Sequence, residues 1–262
     1  TQQLKAFTHF LHLSHWDTIE NNLTQLPVAE ITRVELMNVS GASSAIIKAL
    51  INRGLLREYH KEVGRLNNSD AEPSEKPKTL SQAQQEAYNN IVFQFLKKRV
   101  VLLHGVTSSG KTEVYIHLIN KALKEKKQVL YLLPEIALTV QMTSRLKRVF
   151  GNKLGIYHSR YSDAERVEIW KKQLSTSPYE VILGARSAVF LPFQRLGLVI
   201  IDEEHEGSFK QQDPAPRYHA RSAAIMLASY YGAQTLLGTA TPSTESFFNA
   251  QTGKYGLVQL QT

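Results

Sequence analysis

From about residue 80 onward, short apolar runs alternate with longer segments in which apolar residues recur every three or four positions. The apolar runs predict strands at VVLLHG (100–105), QVLYLLP (128–134), LGIYHS (154–159), YEVILGA (179–185), LGLVIIDEE (196–204) and QTLLGTATP (234–242). The periodic segments predict helices over 110–126, 138–150, 162–174 and 217–232. Continuously apolar strands joined by helices are typical of a parallel sheet covered on both faces. We therefore predict an α/β fold whose ligands bind where the strands end.

A polar stretch separates this region from the start of the chain. NNSDAEPSEKPKT, at 67–79, contains two prolines and almost no apolar residues, which is typical of a linker. The predicted domains are therefore 1–66 and 79–262, with a linker over 67–78.

The first domain shows helix signals followed by a strand signal. VSGAS interrupts two amphipathic segments and offers Ser43 or Ser44 as an N-cap, and Gly54 ends the second segment. LLREYHKEV (55–63) then alternates as a strand does. Helix, turn, helix and strand form the winged-helix pattern, although a small helical module for protein contacts has the same signals. The candidate phosphate contacts are Lys48, Arg53, Arg57 and Lys61.

Composition narrows the function classes. Lys and Arg number 31 against 23 Asp and Glu, a formal charge of +8 that favours an anionic partner such as nucleic acid. A merely soluble basic protein is the alternative, and charge alone does not separate the two. Cysteine is absent, which excludes disulfides and thiolate metal sites. No apolar run reaches membrane-spanning length and no signal peptide opens the chain, so we expect no membrane partner and a cytoplasmic location. The start at Thr1 suggests a fragment.

GVTSSGKT fits the phosphate-binding pattern G-x-x-x-x-G-K-[ST]. An apolar strand precedes it and an amphipathic helix follows, the context that separates a P-loop from a chance match. The loop amides and helix N-terminus face the phosphates of ATP, Lys111 adds a positive charge, and the Thr112 hydroxyl ligates Mg²⁺. The predicted nucleotide-binding residues are Gly105, Val106, Thr107, Ser108, Ser109, Gly110, Lys111 and Thr112.

LVIIDEEH places two carboxylates at the end of a later strand. Asp202 is predicted to hold Mg²⁺ through water, and Glu203 to activate the attacking water. An Asp-Glu pair at a strand end is usually a solvated loop or a helix cap. Here the second carboxylate favours ATP hydrolysis over phosphoryl transfer to another acceptor.

Further stretches carry a family resemblance. LPEIALT (133–139), GARSAVF (184–190), DEEH and GTATPS (238–243) resemble, with the P-loop, motifs I to III of superfamily 2 helicases. GVTSSGKTEVY, IDEEHEGSFKQQ and RYHAR make the region from Leu80 to about Leu260 similar to bacterial primosomal replication-restart helicases. The resemblance implies a RecA-like P-loop lobe with a central parallel sheet, preceded by a small winged-helix domain.

The resemblance also implies roles for individual residues. Gln84, in TLSQAQQ, would read the adenine, unless the segment is only a helix start. Arg186 and Ser187 would grip phosphates of single-stranded DNA, although Arg186 could equally form a surface salt bridge. Thr239 and Thr241 would couple the nucleotide state to DNA affinity.

GSFKQQDPAPRYHAR (207–221) resembles an aromatic-rich DNA-binding loop of this family. Phe209 and Tyr218 would stack on bases, while Lys210 and Arg217 would attract phosphates. The alternative is a mobile loop with one aromatic side chain buried.

Together these features predict an ATP-dependent 3′ to 5′ DNA helicase of replication restart. Its implied partners are single-stranded and forked DNA, single-stranded DNA-binding protein and other primosome proteins, at the bacterial nucleoid. The family also has a preceding DNA-binding domain, a second helicase lobe and a zinc-binding insertion, so zinc is expected only in a part that follows this chain. Without the second lobe, we expect weak nucleotide binding and slow hydrolysis. Two alternatives remain: a duplex-DNA translocase of the same superfamily, and a winged-helix regulator with an ATP-gated switch lobe.

Overall fold

The computed structural model describes residues 2–16, 29–59, 72–158 and 161–260. The chain forms two compact units, Thr1–Val63 and Gly64–Thr262. Residues 60–63, which include Lys61 and end the predicted strand, and residues 67–71 of the predicted linker lie outside the described residues.

Three helices are described in the first unit: α1 (Gln2–Leu13), α2 (Arg33–Ser40) and α3 (Ser44–Asn52). Helix α2 begins where the Thr32 side chain accepts a hydrogen bond from the backbone amide of Glu35, and it ends at Gly41 in the left-handed region. Helix α3 begins after Ser43, one of the two predicted caps.

The three helices share a small core. Its buried members are Ala6, Leu36, Ala42, Ile47 and Leu50. Residues 55–59, the described part of the predicted strand, are not in a strand. Among the described residues, no single helix is long and apolar enough to span a membrane, and only the bent pair of α2 and α3, at 115°, passes on length and composition.

The second unit is built on a seven-stranded, all-parallel sheet. Its strands are β1 (Val100–Gly105), β2 (Gln128–Leu132), β3 (Leu154–Tyr157), β4 (Val181–Gly184), β5 (Leu196–Asp202), β6 (Gln234–Thr239) and β7 (Gly256–Leu260). The strand order is β3-β4-β2-β5-β6-β1-β7. The predicted α/β class is confirmed; β7 was not predicted, because LVQL is short and alternates with a polar residue at an edge position.

In the described part of the second unit, six α-helices flank the sheet, of which the first precedes β1 and the others follow strands along the chain. They are α4 (Gln82–Phe95), α5 (Lys111–Lys124), α6 (Val140–Phe150), α7 (Asp163–Leu174), α8 (Ala220–Tyr231) and α9 (Thr244–Gln251). Helix α8 begins three residues later than predicted, because His219 pairs with Lys210 in an antiparallel bridge that holds the preceding residues extended. A short 3₁₀ helix, Arg186–Phe190, follows β4, and another, Gly207–Phe209, follows β5.

Two apolar layers cover the two faces of the sheet. One joins alternate strand residues such as Leu103 and Tyr131 to α4, α5 and α6. The other joins Leu102 and Leu130 to α7, α8 and α9. This alternation buries every central strand on both sides and leaves the strand ends for function.

Candidate nucleotide and nucleic-acid site

The P-loop connects β1 to α5 at the carboxyl edge of the sheet. Ser108 (φ 65°) and Gly110 (φ 81°) are in the left-handed region, which turns the loop amides toward one side. The buried Lys111 side chain folds back over the loop, donating hydrogen bonds to the carbonyls of Gly105 at 2.8 Å and Val106 at 3.2 Å. This places an ammonium charge where phosphate oxygens approach a P-loop.

The loop also contains an unused polar group. The hydroxyl of Ser109 is buried and has no hydrogen-bond partner among the described residues. Because buried polar atoms are normally paired, this hydroxyl fits a loop that is completed by a ligand oxygen. The predicted phosphate contacts therefore lie together around one concave turn, with Thr112 as the second residue of α5.

Asp202 ends β5 and faces the P-loop helix. Tyr115 of α5 donates a hydrogen bond to its Oδ1 at 2.9 Å, and Tyr131 of β2 donates to its Oδ2 at 3.4 Å. Burial raises the pKa of Asp202 to about 6, and the neighbouring Glu203 charge adds to this effect. The Tyr115 hydrogen bond and the Lys111 charge oppose the rise.

The neighbouring strand leaves room for this contact. A Cβ at Gly238 of β6 would overlap the Tyr115 hydroxyl, so glycine is required for Tyr115 to reach Asp202. No group of three or more His, Asp or Glu able to hold a metal occurs in the described part of the chain. One carboxylate and one hydroxyl beside a phosphate loop instead suit Mg²⁺, which keeps several waters and binds phosphate oxygens.

Glu203 follows Asp202 with a left-handed backbone (φ 47°), and its amide donates to Asp202 Oδ1 at 3.2 Å. Its carboxylate lies 3.7 Å from the imidazole of His205. His205 in turn lies 2.8 Å from the Thr239 hydroxyl and 3.3 Å from the Thr241 hydroxyl. The two threonines predicted to couple nucleotide state to DNA affinity therefore contact the DEEH segment through His205. No role was predicted for His205 from the sequence.

The sequence pattern also did not predict the buried ion pair between Glu204 and Arg221. Glu204 is fully buried and accepts hydrogen bonds from Arg221 at 2.6 Å and from the backbone amide of Ser243 at 2.7 Å. The hydroxyls of Ser246 and Ser243 also donate to Glu204, at 2.8 Å and 3.0 Å, and Arg221 also pairs with Glu245. The RYHAR stretch was noted for its resemblance, but the 17-residue separation of Glu204 and Arg221 gives no local signal of an ion pair.

Gln84 lies at the start of α4 and also approaches the P-loop. Its side chain accepts a hydrogen bond from the Ser81 amide, and the Ser81 hydroxyl accepts one from the Gln84 amide, which forms a capping box at the start of α4. Its Nε2 also lies 3.4 Å from the carbonyls of Ser109 and Gly110. The helix start therefore contacts the P-loop directly.

The predicted DNA-binding residues differ in how exposed their side chains are. Arg186 donates to the Lys210 carbonyl at 3.0 Å, and Lys210 donates to the Arg217 carbonyl at 2.7 Å, so these cations brace the 207–219 loop. Arg217 is exposed, and the half-buried Tyr218 packs edge-on against Phe190 with ring centroids 4.8 Å apart.

The predicted base-stacking role of Phe209 is wrong. Its ring is 0% exposed and belongs to the apolar layer of α7, α8 and α9, so it cannot stack on a base in this structure. The 3₁₀ turn over Gly207–Phe209 directs the ring inward. Ser187, in the other 3₁₀ helix, is half-buried.

Comparisons with known proteins bear on this arrangement. Residues 81–248 match the family model for DEAD/DEAH box helicases, which covers more than half of the chain. The chain belongs to the DEAD/DEAH box helicase family. Residues 1–63 of this helicase chain match a second model, the winged helix domain of PriA helicase from Bacteroidota.

Several curated relatives are named replication restart protein PriA. The helicase chain is 42% identical over 88% of its length to replication restart protein PriA of Bacillus subtilis, covering 29% of that protein. It is 40% identical over 87% of its length to the PriA of Chlamydia muridarum, covering 30%, and 42% identical over 81% to that of Haemophilus influenzae, covering 30%. The predicted resemblance to replication-restart helicases is confirmed. The chain spans about 30% of the length of these relatives.

Proposed function

We propose that this chain supplies the winged helix and first RecA-like lobe of an ATP-dependent DNA helicase that moves 3′ to 5′ and acts in replication restart. The observation that carries the proposal is the contact between the helix that follows the P-loop and the DEEH segment. Tyr115, on the helix that follows the P-loop, hydrogen-bonds Asp202, so the phosphate loop and the carboxylate pair are held as one unit. Family membership and the PriA relatives support the setting.

Each residue near the phosphates has a role in this proposal. Lys111 would leave the Gly105 and Val106 carbonyls and neutralise charge on the β and γ phosphates of ATP. Thr112 and Asp202 would hold Mg²⁺, which neutralises charge developing during phosphoryl transfer. Glu203 would orient and deprotonate the attacking water. Gln84, next to the P-loop, would hold the adenine.

DNA would lie along the loops at the ends of the strands. Arg217 is the exposed cation of the 207–219 loop and would contact phosphate, while Arg186, Ser187 and Lys210 would position that loop. Tyr218, half-buried beside Phe190, would offer a ring edge to a base.

Coupling would pass through His205. Its imidazole lies between Glu203 and the two threonines of the GTATPS turn, so a shift of the Glu203 carboxylate on hydrolysis changes the turn. A nucleotide can drive movement only if it binds two conformations unequally, and a second lobe would provide the second conformation by closing over the P-loop. The cell setting would be the bacterial cytoplasm at the nucleoid, with forked DNA, single-stranded DNA-binding protein and other primosome proteins as partners.

Strand displacement tests the proposal. A polypeptide that joins this chain to the second lobe is mixed with ATP and Mg²⁺ and with duplexes carrying a 3′ tail, a 5′ tail, a fork or blunt ends. We expect displacement on the 3′-tailed and forked substrates and none for Lys111→Ala. ATP turnover stimulated by blunt duplex without displacement would favour the duplex translocase. Turnover that ignores DNA altogether would favour the ATP-gated switch.

A further inference from the structure

The amino edge of the sheet, opposite the P-loop, carries a row of cations. Because all seven strands are parallel, the loops that enter them meet at this one edge. The loops that enter β2, β5, β1 and β7 contain Lys126, Lys127, Arg195, Lys97, Lys98, Arg99 and Lys254. We call these seven residues the basic edge. Glu125 is the one acidic residue in the loops that enter β2, β5, β6, β1 and β7.

Hydrogen bonds to backbone carbonyls fix the basic edge in place. The amide of Gln128 bonds the Arg195 carbonyl at 2.8 Å, which holds the loops entering β2 and β5 side by side. Arg99 donates to the Gly232 carbonyl at 2.6 Å, and Lys98 donates to the Gly253 carbonyl. The row therefore follows the rigid sheet rather than separate flexible loops.

Neighbouring acids do not neutralise these charges. Glu125 is paired with Lys121 of α5 at 2.5 Å. Lys124, Lys126, Lys127 and Arg195 are exposed, and no ion pair to them occurs within the described ranges. By contrast, the carboxyl edge mixes cations such as Lys111 and Arg217 with the carboxylates of Asp202, Glu203 and Glu206.

Helix dipoles do not account for the basic edge. Cations in the last turn of a helix offset its negative end, which accounts for Lys121 and Lys124 in α5. The basic edge lies in loops beyond the helix ends. The two strands at its limits, β2 and β7, are four strand positions apart, so the row extends over about 19 Å.

We propose that the basic edge binds the phosphate backbone of a DNA duplex. A row of about 19 Å runs along a length of duplex that carries roughly 11 phosphate charges on its two strands, at one per about 1.7 Å of axis, and part of these lie on the side that faces the protein. Lys97 lies over one face of the Phe93 ring and Lys254 over one face of the Tyr255 ring, which makes these rings less available for stacking on the bases of a single strand. The choice of DNA rests on the proposed function, because a fork presents a duplex arm besides the single strand.

Lysine acetylation read by mass spectrometry tests where DNA binds. The intact chain is labelled alone, with a blunt 20-base-pair duplex, with a 20-nucleotide single strand, or with poly-L-glutamate of similar charge. We expect the duplex to slow acetylation of Lys97, Lys126 and Lys127, with Lys76 and Lys78 as unprotected controls. Protection by poly-L-glutamate but not by DNA would assign the edge to an acidic protein segment and overturn the proposal.

A matched pair of variants gives the energetic test. Lys126→Gln with Lys127→Gln removes two phosphate contacts, so the slope of log K against log salt should fall by about 1.8. Lys76→Gln with Lys78→Gln, the same charge change at exposed positions, should leave the slope unchanged. An unchanged slope in both variants while wild type binds duplex would overturn the basic edge and leave the helicase proposal standing. Failure of wild type to bind any DNA would overturn both.

Discussion

Asp202 and Glu204 are carboxylates two residues apart, and their surroundings move their pKa values in opposite directions. Burial dominates at Asp202 and raises its pKa to about 6. Burial also acts on Glu204, but the Ser243 amide, Arg221 and the Ser246 hydroxyl together lower its pKa. Asp202 therefore lies in a site that favours an added cation, whereas Glu204 is already paired with the Arg221 guanidinium.

Glu204→Gln should lower the free energy of unfolding at pH 7 by roughly 3 kcal/mol, because it leaves the buried Arg221 guanidinium poorly compensated. Chemical denaturation of both proteins measures this difference. Glu245→Gln is the matched control: it removes the exposed carboxylate from the same arginine and should cost less than about 1 kcal/mol.

The Glu204 effect should depend on pH. A lowered pKa in the folded state stabilises the fold above the ordinary value of 4.5, and this contribution is lost as pH falls through the folded-state pKa. The difference between wild type and Glu204→Gln should therefore shrink below pH 4.5. An equal or larger difference at low pH would contradict the assigned charge state.

At the scale of elements, α4 joins the start of the lobe to the P-loop. Gln84 caps the helix and also approaches the Ser109 and Gly110 carbonyls. A Cβ at Gly110 would overlap the Gln84 amide, so the loop and the helix start depend on each other. The capping role and the proposed adenine role can be separated because Ser81 shares only the first.

Gln84→Ala should reduce the preference for ATP over GTP, measured as the ratio of the two dissociation constants. Ser81→Ala removes the hydroxyl cap and should cost about 1 kcal/mol of stability without changing that ratio. Equal nucleotide preference in wild type and Gln84→Ala would leave Gln84 as a helix cap alone.

The elements differ in how far the sequence could predict them. Buried parallel strands such as β1 and β5 are continuous apolar runs, and the P-loop has fixed spacing, so both followed from local pattern. The edge strand β7 and helix α9 have short, mixed sequences and form only against the finished sheet. Phe209 lies in a polar segment, and its burial depends on the cavity that α8 and the sheet make together.

At the scale of the whole molecule, the two edges of one sheet have different chemistry. The carboxyl edge holds the P-loop, the DEEH segment and the GTATPS turn, while the amino edge holds the uncompensated cations. Parallel topology produces this division, because it collects all strand ends on one side and all strand starts on the other.

DNA-dependent ATP turnover tests whether the P-loop and Glu203 form one hydrolysis site. The rate is measured for a polypeptide that joins this chain to the second lobe, with and without forked DNA carrying a single-stranded gap, for wild type and Glu203→Gln. We expect strong stimulation by DNA in wild type and at least about a 100-fold lower rate in the variant, because the general base is lost. Turnover that is indifferent to DNA, or unchanged in Glu203→Gln, would contradict a DNA-driven motor at this site.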